Sequence, residues 1–338
     1  MNRSFLLLMS LSIIACSHNV PEKNQTPSTK LTDLDRFVVY MEYPPKKSAW
    51  TNEADYIVLQ QVDGGSKRYL IRDVFLNRSP SVSPGGKLVA FISAREGNPL
   101  RLRAIGDLAP RGIFGYDLVN NKLMKLVSNE VSNQIGRLEL IEFAHRHRLL
   151  VCSGTPGNSL WLISLRKDSL EELCRLHEGS SINHLSISPN DKYVSLSYTT
   201  TEFLLNNELS VKAGLAIFNM RTKQIDYVQN YLGEIGGWVS GEKSFLVRDT
   251  SGTWGTFDFQ SNKFSPMTLP KSLKDYSISE LQFWDKDTLI FIGEEKRAGS
   301  KEGSEDVYLY ALKENTLRPI TSDGFTKTDL TFYNKFEK

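Results

Sequence analysis

Residues 82–93 read VSPGGKLVAFIS, and residues 187–198 read ISPNDKYVSLSY. Both run hydrophobe, Ser-Pro, two turn residues, Lys, then an alternating strand. Proline fixes φ at such a turn, and Gly, Asn or Asp accepts the left-handed conformations of a tight hairpin. Weaker copies lie at 238–247 (WVSGEKSFLV) and 283–292 (FWDKDTLIFI), with a degenerate one at 144–151 (AHRHRLLV). The stretch 332–338 (FYNKFEK) reads as the start of another. Turns centred near 84, 145, 189, 240, 285 and 334 recur at roughly fifty residues, in the range of propeller blades.

Between the turns lie short runs rich in β-branched and aromatic residues, such as Phe37 to Tyr40, Leu88 to Ile92, Leu160 to Ile163 and Leu289 to Ile292. Each period holds four such runs, the content of one propeller blade. No segment keeps a long 3.6-residue apolar period, so helix is expected to be minor. A blade cannot bury two apolar faces alone, so blades must close into a ring. Phe37 to Met41 reads as the second strand of a blade, and Leu330 to Phe336 as a first strand. The expected fold is therefore all-β: a six-bladed β-propeller whose C-terminal strand completes the N-terminal blade. An open sandwich or two smaller β domains are the alternatives.

The motif resembles the WD40-like PD40 repeat of TolB-type propellers, whose usual form is Pro-x-Trp-Ser-Pro-Asp-Gly-Lys before a strand. Ser79-Pro80-Ser81-Val82-Ser83-Pro84-Gly85-Gly86-Lys87 is the best copy, and Ser188-Pro189-Asn190-Asp191-Lys192 the second. Val82 and Ile187 stand where the usual Trp would be. The resemblance covers about Asp35 to Lys338 and implies the propeller fold. TolB-type proteins also carry an α/β domain before the propeller, for which this sequence is expected to leave no room.

The N-terminus, MNRSFLLLMSLSIIAC, combines Arg3 with an apolar run from Phe5 to Ala15. That run is about half the roughly 20 residues a membrane-spanning helix needs, so it reads as an export signal. A small residue just before Cys16 resembles the lipobox of bacterial lipoproteins, which implies cleavage there and diacylglycerol on the Cys16 sulfur. An ordinary signal peptide with an incidental cysteine is the alternative. The expected organisation is a signal peptide over 1–15, a lipidated, disordered tether over 16–34, and the propeller over 35–338. The tether, SHNVPEKNQTPSTK after Cys16, is too polar to offset its conformational entropy. Ser17 after the cysteine favours, by resemblance to enterobacterial sorting, a periplasm-facing place on the outer membrane. The inner membrane and the cell surface remain open.

Lys and Arg total 41 against 39 Asp and Glu, and no polybasic block occurs, so nothing argues for nucleic acid. No Gly-x-Ser-x-Gly elbow, Walker loop, Cys-x-x-Cys or His-Glu-x-x-His is present, and no cofactor is expected. His145, His147 and His184 are the candidates for a metal. Arg146 and Arg148 beside the first two oppose cation binding, so no metal is expected. Cys152 and Cys174 fall two strands apart in one blade. Such strands lie about 9–10 Å apart, beyond the ~7 Å Cα separation of a disulfide, so two free thiols are expected.

Loop length points to function. Long connections between the second and third strands of a blade are expected at 42–54, 94–111, 199–212 and 294–306, all on one face. Insertions gathered on one face of a rigid scaffold mark a binding surface, although drifting loops would look the same. Trp50, Arg95, Arg101, Arg103 and Arg111 are the candidate partner-binding residues. Arg among apolar residues suits a protein surface. The expected function is non-enzymatic: a lipid-anchored scaffold for a cell-envelope protein. A glycan- or peptidoglycan-binding propeller is the alternative, and a metal-dependent lyase-type enzyme ranks third.

Overall fold

The computed structural model describes residues 35–43, 55–63, 65–73, 75–96, 111–145, 147–153, 158–203, 209–228, 231–239, 243–296, 305–323 and 325–334. Blade one begins with β1 (Arg36–Tyr43), β2 (Tyr56–Gln61) and β3 (Lys67–Ile71). Blade two holds β4 (Asn77–Val82), β5 (Leu88–Ser93), β6 (Gly112–Asp117) and β7 (Lys122–Lys125). A short helix, α1 (Asn129–Ile135), capped by the Ser128 hydroxyl, leads to blade three. That blade holds β8 (Leu138–Ala144), β9 (Arg148–Ser153), β10 (Ser159–Ser164) and β11 (Ser169–Arg175). Blade four holds β12 (Ser180–Ile187), β13 (Tyr193–Phe203), β14 (Leu209–Asn219) and β15 (Ile225–Val228). Blade five holds β16 (Tyr231–Trp238), β17 (Ser244–Asp249), β18 (Trp254–Asp258) and β19 (Lys263–Pro266). Blade six holds β20 (Tyr276–Asp285), β21 (Thr288–Glu295), β22 (Asp306–Ala311) and β23 (Thr316–Pro319). The last strand, β24 (Thr326–Asn334), returns to blade one, where the order is β24-β1-β2-β3.

The chain is thus a six-bladed β-propeller of four-stranded antiparallel sheets. Closure follows the expected pairing: Phe37↔Tyr333, Val38↔Phe332 and Val39↔Thr331. β24 begins earlier than expected, at Thr326, while Lys335 and Phe336 lie outside the described residues. The innermost strands β4, β8, β12, β16, β20 and β24 each touch the next around the ring.

Alternation within the second strand of each blade explains the unbroken apolar runs. In β5, Val89 and Phe91 pack toward blade one, whereas Ala90 and Ile92 pack toward blade three. In β1, Phe37, Val39 and Met41 face blade two while Val38 and Tyr40 face blade six. In β21, Leu289 and Phe291 face blade five, and Ile290 and Ile292 face blade one. Each sheet buries both faces, so its strands read as continuous hydrophobic stretches.

The motif turns have a local cause. Ser83 Oγ accepts the Leu88 N–H at 3.0 Å, and Ser188 Oγ accepts the Tyr193 N–H at 2.9 Å. Three residues after each serine the backbone is left-handed, at Gly86 (φ 65) and Asp191 (φ 57). A Cβ on Gly86 would also lie 2.7 Å from the ring of Tyr333 on the closing strand, so that position is doubly restricted to glycine.

Two details differ from the sequence reading. Most of 199–212 is not loop: β13 and β14 pair without a break from Tyr193↔Asn219 to Phe203↔Leu209. The β-branched run Thr199 to Thr201 supports strand, but polar residues on both faces hide the alternation. The described part of the C-terminal repeat ends as strand rather than as a turn, because β24 supplies only the first strand of blade one. The cysteines are placed as expected. Cys152 and Cys174 both register with Leu160 from opposite sides, and both are free. Burial pushes the Cys174 thiol up to about 12 and raises the Cys152 thiol well above its ordinary value.

Candidate functional site: the central channel and the loop-bearing rim

All six innermost strands carry a register shift against their neighbours. The shifts fall at Arg78/Ser81 in β4, Leu138/Leu140 in β8, Ile182/His184 in β12 and Ile278/Glu280 in β20. β16 shifts at Ile235/Trp238, and β24 shifts opposite Val39/Met41. A bulge bends a strand and re-aims side chains. Two of these bulges hold a non-glycine residue at positive φ, Ser79 (φ 50) and Asp329 (φ 55).

The re-aimed side chains clasp the backbone of the next blade. Glu280 Oε1 and Oε2 accept the N–H groups of Asp329 (2.7 Å) and Leu330 (2.9 Å) on β24. Asp329 Oδ2 accepts the Ser79 N–H at 3.2 Å on β4. Ser79 Oγ and Ser81 Oγ accept the N–H groups of Ile141 (3.0 Å) and Phe143 (2.9 Å) on β8. Glu142 Oε1 accepts the Ile187 N–H at 3.3 Å on β12. From β16, the Trp238 indole N–H donates back to Ser186 O at 3.0 Å. Between β16 and β20 the backbones come so close that a Cβ on Gly236 would lie 2.2 Å from Leu281 O.

These strands enclose a channel cavity of about 400 Å³, lined by Glu142, His184, Glu280, Gln282, Asp329 and neighbouring residues of the same strands. Burial raises the Glu142 and Glu280 carboxyls to about 8, and the Asp329 charge adds to the shift at Glu280. Asp329 is raised by burial as well. Burial lowers His184 to about 4, and its Nδ1 has no hydrogen-bond partner among the described residues. Near neutral pH the channel therefore holds protonated glutamic acids and a neutral imidazole. That surface offers hydrogen bonds more than charge. The sequence reading placed His184 on an innermost strand, correctly, but missed the three acids. The available signal was an acid inside an otherwise apolar strand.

The three histidines occupy different places. His145 Nδ1 lies 2.8 Å from Asp191 Oδ1, and Arg148 donates to Asp191 Oδ2 at 2.9 Å, joining two neighbouring motif turns. His147 holds a left-handed turn position (φ 58). Among the described residues no cluster of three His, Cys, Asp or Glu could hold a metal.

The rim gives a correction. Arg95 and Arg111, expected on an open binding loop, turn inward. The Arg95 guanidinium lies 4.9 Å from the Phe114 ring centroid, 5.2 Å from Phe91 and 5.8 Å from Phe75. It pairs with Asp73 at 3.2 Å, and 11% of its side chain is exposed. Burial lowers its pKa, against the opposing pull of Asp73. Arg111 has 1% of its side chain exposed and donates to Leu138 O at 3.3 Å, tying blade two to blade three. Arg95 stabilises the scaffold through cation–π contacts and its ion pair, and Arg111 through a charge-assisted bond to a backbone carbonyl. Trp50, Arg101, Arg103 and Cys16 lie outside the described residues.

The identical strand order in every blade sends all second-to-third connections to one rim. Those of blades one, two and six, over 44–55, 94–111 and 296–305, are long in sequence, whereas those of blades three, four and five, over 154–158, 204–208 and 250–253, are short; in blade four the ribbon of β13 and β14 extends instead. No protein-family model matches the sequence, and comparison with curated proteins finds no significant relative. Solved structures do match. TolB from Acinetobacter baumannii superposes with a TM-score of 0.59 at 12% identity, over 89% of this chain and 67% of that one. A putative TolB from Agrobacterium tumefaciens gives 0.55 at 10% identity, over 88% and 97%. The fold is that of the TolB-like propellers. An oligogalacturonate lyase in complex with manganese also matches, with a TM-score of 0.50 at 10% identity, over 84% of this chain and 73% of that one. At such identities the likeness concerns the fold alone.

Proposed function

We propose that this chain is a non-enzymatic binding module of the bacterial cell envelope. Lipid on Cys16 anchors it to a membrane facing the periplasm, and its loop-bearing rim takes a protein partner. One observation supports the reading: three long second-to-third connections, of blades one, two and six, share one rim of the ring with the extended β13–β14 ribbon of blade four. Loops on such a scaffold are where recognition is built. With Arg95 and Arg111 engaged internally, Arg101 and Arg103 are the arginines of that segment left to test.

The test combines anchor and rim. Fatty-acid analogue labelling should be lost in Cys16→Ala. Partner recovery after envelope crosslinking should fall when Arg101 and Arg103 are reversed to Glu, and should persist when Lys122, on the outermost strand β7, is reversed. Undiminished labelling would remove the anchor, and equal recovery from both reversals would remove the rim. A glycan-binding second reading rests on an aromatic group at the same rim. His177 stacks on Tyr227 at 5.1 Å, with Tyr198 edge-on to Tyr227 at 5.8 Å, and Tyr227 is 39% exposed. Peptidoglycan fragments that shift the His177 and Tyr227 resonances would favour it.

A further inference from the structure

The strands around the central channel present more hydrogen-bond acceptors than the protein itself uses. The Gln282 amide nitrogen donates to Leu330 O at 3.0 Å, and a carbonyl can only accept, so Oε1 is the end left over. That oxygen lies over the neighbouring strand β16, 3.9 Å from where a Cβ on Gly237 would stand. Glu142 accepts the Ile187 N–H through Oε1 alone, and Asp329 accepts the Ser79 N–H through Oδ2 alone. Among the described residues nothing bonds the second oxygen of either carboxyl. His184 adds an imidazole that no described residue bonds at either nitrogen, and its Nδ1 is buried. In its neutral form that ring keeps one acceptor. Unused acceptors from β8, β12, β20 and β24 thus line one cavity of about 400 Å³.

Charge points the same way. Glu142, Glu280 and Asp329 line the cavity, and among the described residues no lysine or arginine does. Asp191 and Glu305 add negative charge toward Glu142 and Glu280. Arg78, which acts on Asp329, is itself held by Glu139 at 2.7 Å. A polar lining with its own donors spent and no resident cation is met by a group that brings several N–H donors, a positive charge and no acceptor. A primary ammonium has that composition, whereas a hydroxyl brings acceptors of its own.

We propose that the channel binds a primary ammonium group, with Glu142, His184, Gln282 and Asp329 as its acceptors. Two sources supply this chemistry: a free small amine, and a lysine side chain of a partner protein. Nothing in the site depends on the loop-bearing rim, so rim and channel can fail separately. Burial alone keeps the Glu142 and Glu280 carboxyls near 8 and so protonated at neutral pH. An entering ammonium reverses this: the carboxyl O–H bond breaks, the proton leaves to solvent, and the carboxylate pairs with the cation.

The test titrates 1,4-diaminobutane and Nα-acetyl-lysine methylamide separately into the purified full chain, in unbuffered sodium chloride near neutral pH. A pH electrode reads released protons. Nitrogen NMR reads the His184 ring, assigned by the signals lost in His184→Gln. Binding should saturate, shift the His184 resonances and release about one proton per bound amine. The lysine probe alone binding would assign the site to a lysine side chain, and diaminobutane alone to a free amine. Tetramethylammonium, a cation without N–H donors, should bind at least tenfold more weakly. Glu142→Gln keeps an acceptor for the Ile187 N–H but no charge, so amine affinity should fall at least tenfold and the proton release shrink. Glu178→Gln, at an exposed position, should change neither. Proton release and the His184 shift read the parent protein, so a misfolded variant leaves the test standing. No saturation by about 10 mM of either amine would overturn the proposal. So would binding without proton release, tetramethylammonium binding as well as the amines, or a folded Glu142→Gln that binds like the parent. Sorbitol binding where the amines do not would make this a neutral polyol site instead. None of these results touches the dependence of partner recovery on Arg101 and Arg103.

Discussion

Lys327, on the closing strand of blade one, has no exposed side-chain surface, whereas Val211, on the ribbon of blade four, is 60% exposed. Both stand near the same rim. Lys327 Nζ is held by Asp323 Oδ1 (2.6 Å), Asp306 Oδ1 (3.0 Å) and the carbonyls of Phe325 (2.8 Å) and Glu305 (3.2 Å). Asp323 Oδ2 also receives Lys67 at 2.5 Å, Lys67 pairs with Glu42, and Tyr69 donates to Glu42 Oε1 at 3.0 Å. Burial works to raise the Asp323 carboxyl, but hydrogen bonds from Lys327 and Lys67 outweigh it and hold the group below its ordinary value. Two ammonium groups and three carboxylates thus join β1, β3, β22, β24 and the connection leading into β24. Connectivity explains the difference between the blades. β13 and β14 are neighbours in sequence and start from one hairpin, so pairing is local. β24 must find β1 from the far end of the chain, where a slip of one residue would invert every side chain. A buried ionic cluster is costly to desolvate but penalises the wrong register heavily.

The largest effect should come from removing the seam itself. Truncation after Asp329 deletes Leu330 through Asn334 of β24 and reopens an edge on β1 that is buried along its length. Stability should fall by several kcal/mol, on the scale of losing a buried strand. An unchanged melting temperature would show that closure is dispensable. Next comes the staple. Lys327→Ala leaves the Asp306 carboxylate without its ammonium partner, while Asp323 keeps Lys67, and should cost about 3 kcal/mol in urea unfolding. A cost below about 1 kcal/mol would mean that the cluster is as well solvated as an ordinary surface pair.

The sequence made visible what is encoded within a single turn or strand. Ser83 with Gly86, and Ser188 with Asp191, write their hairpins locally, so repeat and ring were legible. The strand phase at Phe37 and at Leu330 disclosed the seam. The clasps were hidden because Glu280, Asp329, Ser79 and Glu142 bind backbone groups of the neighbouring blade, far along the chain. No local pattern announces an acceptor for a remote N–H. Arg95 misled for a related reason: its cage is assembled from Phe75, Phe91 and Phe114, which are adjacent only after folding.

The clasp from blade six to blade one is sharpened by pH. Glu280 binds its proton more tightly folded, at about 8, than the ordinary carboxyl value of 4.5. A raised folded pKa means that stability is lost as pH rises from the unfolded value through the folded one. Glu142 and Asp329 act in the same direction, while His184, lowered to about 4, acts oppositely and only below its ordinary 6.5. Between pH 6.5 and 8.5 the acids alone remain. In that window Glu280→Gln should flatten the decline of melting temperature by a few degrees while leaving the acid side nearly unchanged. A parallel decline in the variant would mean that Glu280 is already ionised in the fold.

The smallest effect belongs to the ribbon. Val211 continues the stripe of Leu215 and Ile217, yet those two are buried against blade five and Val211 is open to solvent. Val211→Ser removes apolar surface that folding does not bury, so stability should stay within about 0.5 kcal/mol of the parent in the same urea titration. The contrast with Lys327 is then quantitative: one rim, one polar residue whose loss opens the seam, and one apolar residue whose loss costs the isolated protein nothing. If Val211→Ser instead costs as much as a core truncation, the ribbon is packed within the monomer. The two blades would then be alike in how they finish their edges.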